Sequence, residues 1–300
     1  MKLGIIVVYL VSDDNEKLLE IHLNKIKENT TSSFNIYAAV NMLQPQFIEK
    51  LKQYDFVKQI FCEKYIDQNE EAREVKEHSH YLEQLIKIAI DDGMSHIAIM
   101  HPDSFPIKVG WEKYLANKLS KPYVLVSIFP IMSSCIFFHR RFYSQYKPSL
   151  LLNEKERSSP QWILCQQSIK DINIVGCGIG YGYKTYLENL GWHRLEKTNK
   201  GEFSLYHGFV FDDVIFHLGT ASKYIDRQMS GYGEFKFYRY FRRSIAKILP
   251  NSIKRKIINV LPHNVLYPEV GNNINAFIKS KEKLINDPEG YLKMLRDGKN

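Results

Sequence analysis

The stretch "HIAIMHPDSFPIKVGWEKYL", residues 96–115, decides how the chain is read. Its first five residues, "HIAIM", make an apolar run of strand length. The run stops on His101, Pro102 and Asp103, with Pro106 close behind and Gly110-Trp111 opening a segment of helical spacing. Spacing alone leaves two readings open. In one, Asp103 caps a turn through its own backbone while Pro106 shapes the loop. In the other, His101 and Asp103 stand at the carboxyl end of a buried strand, where open α/β sheets collect their ligands. A carboxylate there can bind Mg²⁺ or Mn²⁺, which in turn neutralises a diphosphate.

Upstream, strand and helix patterns alternate. "LGIIVVYLV" is a continuous run rich in β-branched residues, as in a strand buried on both faces. Leu18, Leu19, Ile21, His22, Leu23 and Ile26 form a helical stripe. "FNIYAAVN" reads as a second strand, "PQFIEKLKQYD" as a short helix opened by Pro45, and "FVKQIFCE" as a third strand. "HSHYLEQLIKIAIDDG" reads as a helix stopped by Gly93, before "HIAIM" as the fourth strand. This order predicts βαβ units on a doubly wound sheet.

Downstream the alternation loosens. "GWEKYLANKLS" reads as a helix, and "YVLVSIF" and "SSCIFFHR" as strands. "LNEKERSSPQ" reads as a polar loop and "YKTYLENLGWHRL" as a helix ending near Gly191. "HGFVFDDVIFHLGTAS" alternates apolar and polar residues and ends on His217-Leu218-Gly219. Arg140, after "SSCIFFH", can grip a phosphate as a planar fork or stand in a solvated basic turn.

Composition narrows the class. The apolar fraction, 44% of 300 residues, supports a sizeable core. The four cysteines (Cys62, Cys135, Cys165, Cys177) form no CxxC pair, which argues against a structural zinc site and for a reducing compartment. The N-terminus lacks a signal-peptide cleavage site, and no apolar run reaches the ~20 residues of a spanning helix. The net charge of +8 is local. Residues 236–256 hold eight basic residues and no acidic one, interleaved with Phe237, Phe241, Ile245 and Ile248. Such a segment suits a helix lying on an anionic bilayer surface, or one packed with its basic face in water. No nucleic-acid-binding motif accompanies it.

Residues 1 to about 220 resemble the GT-A glycosyltransferases, especially the bacterial family 2-like enzymes of surface polysaccharide synthesis. In that family an Asp-x-Asp motif follows the fourth strand, often with Pro and Gly-Trp behind it. "MHPDSFPIKVGW" matches with His101 in the first acidic place and Asp103 in the second, the one that usually meets the metal. "VIFHLGTAS" resembles the family's strand ending in His-x-x-Gly-x-Ser, with the glycine one place early.

By this resemblance His101, Asp103 and His217 hold Mn²⁺ or Mg²⁺. Tyr9 and Asn41 lie where the nucleoside base is held. Ser79 and His80 open the helix that presents groups to the nucleotide, with Ser79 as its N-cap. The acidic general base common in relatives is replaced by Gly178, and Asp171 is the nearest carboxylate. Asp212 and Asp213 are further candidates.

The expected architecture is a Rossmann-like mixed α/β sheet flanked by helices over residues 1–230, with a basic helical appendage over 231–300. The expected activity is transfer of a sugar from a nucleotide-diphosphate donor to a glycan or lipid-linked acceptor, by a cytoplasmic protein held on the inner face of the cell membrane through residues 236–256. An inactive GT-A-like scaffold is the alternative.

Overall fold

The computed structural model describes residues 1–11, 13–66, 73–128, 134–168, 178–199, 208–218 and 278–297. The chain divides into two compact units. One comprises Met1–Asn199 with Phe209–His217, the other Lys200–Gly208 with Leu218–Asn300. In the second unit, residues 278–286 are helical and α9 spans Pro288–Asp297, with Leu284, Leu292 and Leu295 buried. The boundary expected near residue 230 and the basic segment 236–256 lie outside the described residues. No helix among the described residues is long and apolar enough to cross a membrane.

The first unit is built on a seven-stranded mixed sheet, flanked by helices as the GT-A resemblance implies. The strands are β1 (Lys2–Val8), β2 (Ser33–Ala39), β3 (Val57–Ile60), β4 (His96–Met100), β6 (Tyr123–Ile128), β7 (Cys135–His139) and β8 (Gly191–Leu195). Their spatial order is β3-β2-β1-β4-β7-β6-β8. β3, β2, β1 and β4 run parallel; β7 runs antiparallel to both its neighbours. β1 feeds β2 and β3 on one side and lies beside β4 on the other. The order therefore reverses between β1 and β4, and the carboxyl ends of these two strands form the topological switch point.

Alternation along β1 divides the core. Leu3, Ile5, Val7 and Tyr9 face α1 (Glu16–Asn29), α2 (Pro45–Leu51) and α4 (Trp111–Lys118). Ile6 and Val8 face α3 (Arg73–Asp91), α5 (Arg140–Tyr146) and α8 (Ile179–Leu187). β1 is buried from Leu3 to Val8, which is why its sequence is a continuous apolar run. A second, three-stranded antiparallel sheet joins β5 (Ser104–Pro106), β10 (Ile215–His217) and β9 (Phe209–Phe211) in the order β5-β10-β9.

Several local expectations are corrected. The polar segment read as a loop contains α6 (Glu154–Arg157) and runs into α7 (Pro160–Ser168), because Asn153 and Glu156 form a reciprocal capping box. The helix expected to end near Gly191 is α8, and Gly191–Leu195 continues as the edge strand β8. α3 begins by Arg73, so Ser79 is an interior residue whose hydroxyl donates to the Val75 carbonyl.

The Gly-Trp pair after β5 proves to be a structural bolt. Gly110, at φ 73°, donates its N–H to the Asn29 carbonyl, and the Trp111 indole donates to Thr30 Oγ1. The fully buried Glu112 then accepts at Oε1 from the N–H and hydroxyl of both Thr31 and Ser32. Removing a buried acceptor that serves four donors costs all four bonds, although water can reach those of the exposed Thr31 and half-buried Ser32. Glu112→Leu should destabilise the protein by roughly 3 kcal/mol or more, and Glu112→Gln, which keeps one acceptor oxygen, by clearly less. Urea denaturation of the two variants measures the difference.

Glu83 joins the other helical layer to the chain after α5. Its carboxyl accepts from the Leu150 N–H and the Tyr143 hydroxyl, yet burial raises its pKa from 4.5 to about 7 against both hydrogen bonds. The folded protein therefore keeps this proton where the unfolded chain has released it. Stability falls as pH rises from about 4.5 through 7. In Glu83→Gln this decline should be absent. The melting temperature of the variant relative to the parent should rise by a few degrees, on the order expected for ~1 kcal/mol, between pH 5 and pH 8.

Candidate metal centre

Asp103 is positioned from both sides. β4 delivers His101 and Pro102 at the carboxyl edge of the sheet, and a turn closed by Ser104 N–H on the His101 carbonyl carries the chain into β5. β5 then pairs with β10 in the register Ser104↔His217, Phe105↔Phe216 and Pro106↔Ile215. This pairing sets His217 one residue from Asp103, across 114 positions of sequence.

The three side chains converge. His217 Nε2 lies 3.7 Å and His101 Nδ1 lies 4.0 Å from the same carboxylate oxygen, Asp103 Oδ1. One ligand atom from each of the three falls within 4.8 Å of the other two. The side chains of Asp103 and His217 are 2% and 9% exposed and make the floor of the site; that of His101, at 27%, makes its mouth. Ser134 Oγ stands 3.3 Å from His101 Nδ1.

Two further histidines surround this group. The ring of His78, from α3, meets His101 edge-on at 5.4 Å. His22, from α1, is fully buried and edge-on to the Tyr9 ring at 5.7 Å.

Burial dominates the protonation of these rings. It lowers His101 to about 4, with the Asp103 charge opposing and His217 adding to the shift. His217 is lowered by burial against the same Asp103 charge. His22 is lowered to about 4 by burial, opposed by the nearby Ser104 backbone and by the Asp103 charge. The imidazoles are neutral at pH 7 and offer lone pairs beside a buried carboxylate. Atoms bonded to one cation at roughly 2.1 Å lie roughly 3–4 Å apart. The cluster matches that span with small side-chain adjustments, so the donor set fits a divalent ion.

The other expected site residues are placed differently. Tyr9 is fully buried on the α1 side of the sheet, in line with Leu3, Ile5 and Val7, and offers no face to a base. Asn41 is committed to holding two strand ends together, its amide donating to the Cys62 carbonyl and accepting from the Cys62 N–H. His80 packs on Tyr65 at 5.5 Å, and it is His78, two places earlier, that meets the metal group.

Arg140 stands at the opposite edge of the sheet. Antiparallel pairing of β7 with β4 puts Cys135 beside Met100 and His139 beside His96, so Arg140 follows at the amino end of β4. Four residues of strand, roughly 14 Å, separate that end from the site.

Asp171 lies outside the described residues. Asp212 and Asp213 have φ of 48° and 54° and form the tight turn between β9 and β10, away from His217. Asp212 is occupied there by the Tyr114 hydroxyl and the Glu196 N–H. Gly178, where relatives of the resembled family carry a base, begins α8 at φ 102°.

His22 and His78 carry a signal that sequence can read. His22 lies within the apolar stripe of α1, and His78 lies one turn before Leu82 on the stripe that continues through Leu85, Ile86 and Ala89.

No family model and no curated protein matches the chain. Among solved structures, residues 1–349 of TarS from S. aureus match with TM-score 0.35 at 12% identity, over 50% of each chain. A second TarS structure matches with TM-score 0.34 at 13% identity, over 50% of this chain and 30% of that one. Mouse xyloside xylosyltransferase 1, in its apo form, matches with TM-score 0.38 at 12% identity, over 68% of this chain and 88% of that one. The chain thus spans half or less of the TarS chains. Overlaps this loose say nothing of substrate or activity.

Proposed function

We propose that the protein is a glycosyltransferase that moves a sugar from a nucleoside-diphosphate donor to an acceptor hydroxyl. The observation that carries this reading is the buried His101–Asp103–His217 group at the β1/β4 switch point, the place where an open α/β sheet gathers its ligand. Asp103 and His217 would hold a divalent ion from below and His101 from the mouth. When bound, that ion supplies positive charge against the departing diphosphate.

In a single displacement the acceptor oxygen bonds to the anomeric carbon as the bond from that carbon to the diphosphate oxygen breaks. The hydroxyl proton passes to a base and the configuration inverts. Asp171 is the carboxylate we assign to that base. The residue has to come within hydrogen-bond reach of the acceptor.

The resemblance of "MHPDSFPIKVGW" and "VIFHLGTAS" to the family 2-like enzymes supports a bacterial glycan or a lipid-linked glycan as acceptor. The basic and aromatic stretch 236–256 supports a cytoplasmic enzyme held on an anionic membrane surface, with the catalytic domain ending near residue 230. Each basic residue near such a surface contributes about 1 kcal/mol.

A second reading is a nucleotide-sugar-binding scaffold without turnover. It is favoured by Gly178, which leaves no carboxylate at the start of α8.

Calorimetric titration with nucleoside diphosphates, with and without Mn²⁺, tests the first reading. One nucleotide should bind in the presence of the ion, and Asp103→Ala should weaken it at least tenfold while leaving the fold intact. Absence of binding by every nucleoside diphosphate would remove the reading. Sugar transfer that is lost in Asp103→Ala and reduced at least a hundredfold in Asp171→Asn would exclude the scaffold.

A further inference from the structure

We infer that the His101–Asp103–His217 site selects a first-row transition cation of the Co²⁺ or Zn²⁺ kind and rejects Mg²⁺. This rests on the proposed role of the site as a cation holder and narrows it to one class of ion. Two features support it independently.

The first is the donor set. Two of the three ligand atoms are imidazole nitrogens and one is a carboxylate oxygen. Imidazole binds Fe²⁺, Co²⁺, Ni²⁺ and Zn²⁺ well, whereas Mg²⁺ calls for an oxygen shell. Across the first row, affinity at such a site rises from Mn²⁺ towards Co²⁺ and Ni²⁺.

The second is space. Mg²⁺ gives up its waters reluctantly and usually keeps several of them. Here Asp103 and His217 are 2% and 9% exposed, and only His101, at 27%, opens towards solvent. The His78 ring meets His101 edge-on at 5.4 Å and the buried Ser134 stands 3.3 Å from His101 Nδ1, so side chains rather than open solvent border the cluster there. An ion that exchanges its waters for nitrogen donors meets no such obstacle.

The experiment uses the full chain and the metal ions alone, without nucleotide. Co²⁺, Zn²⁺, Mn²⁺ and Mg²⁺ are titrated by calorimetry, and the visible absorption of the Co²⁺ complex is recorded. One Co²⁺ should bind per chain with ligand-field bands that report nitrogen ligation, at an affinity at least roughly a hundredfold above that for Mg²⁺. His217→Ala and Asp103→Asn should each abolish the bands.

Mg²⁺ binding within tenfold of Co²⁺ in the unmodified protein would overturn the inference, and this comparison needs no variant to fold. Co²⁺ bands that persist in both variants would overturn it as well, since the ion would then sit elsewhere. Failure of sugar transfer leaves the result untouched. Conversely, sugar transfer driven by Mg²⁺ alone would sink the inference and spare the proposed function.

Discussion

The site depends on one backbone pairing, Ser104 against His217. β5 is only three residues long and begins one residue after Asp103, so whatever holds β5 holds the carboxylate. Its partner β10 ends on His217, and the two residues sit opposite each other in an antiparallel register. A slip of one position would turn His217 to the other face and bring Phe216 to the metal group. The register is fixed by packing: Phe105 and Phe216 are neighbours at 4.9 Å, and Ile107 N–H donates to the Val214 carbonyl one step beyond the ladder.

That pairing would be free to drift without support from α1 and α4. Asn29, at the end of α1, donates from its amide to the Pro106 carbonyl, tying β5 to the helix. Gly110, Trp111 and Glu112 close the same corner from the other side. α1 therefore supports the loop at its carboxyl end and contributes buried His22 two turns earlier. Sequence "VGWE" follows the ligand loop and anchors it, with the Gly110 N–H, the Trp111 indole and Glu112 Oε1 all bonded to residues 29–32. The candidate ligands and the anchor form one mechanical unit.

Legibility in the sequence follows the range of the interactions involved. β1, β2 and β4 are readable because strands covered on both faces become unbroken apolar runs. His101, Asp103 and His217 are readable because they stand at strand ends. Strand direction is not encoded by any local period: β7 runs antiparallel to β4, which carries Arg140 to the far edge of the sheet. An amide can accept from a base or tie down a strand end, and only the fold brings Cys62 within reach of Asn41. Tyr9 and His80 are different cases. Parity along β1 assigns Tyr9 to the row of Leu3, Ile5 and Val7 that packs on α1, and the α3 stripe favours position 78 over position 80.

The charge of the site has a consequence for how it would be filled. A divalent ion held by one carboxylate and two neutral imidazoles keeps a net positive charge. Within a mostly buried pocket such an excess is unfavourable unless an anion completes it. On the proposed function, the diphosphate of the donor would supply that anion. It would reach the ion from the His101 side, where the cluster is most exposed. Ion and diphosphate would then each raise the other's affinity, because linkage between two sites is reciprocal. On the proposed function, a set of one carboxylate and two imidazoles would trade intrinsic hold on the ion for dependence on the donor, so that metal and substrate would be bound together.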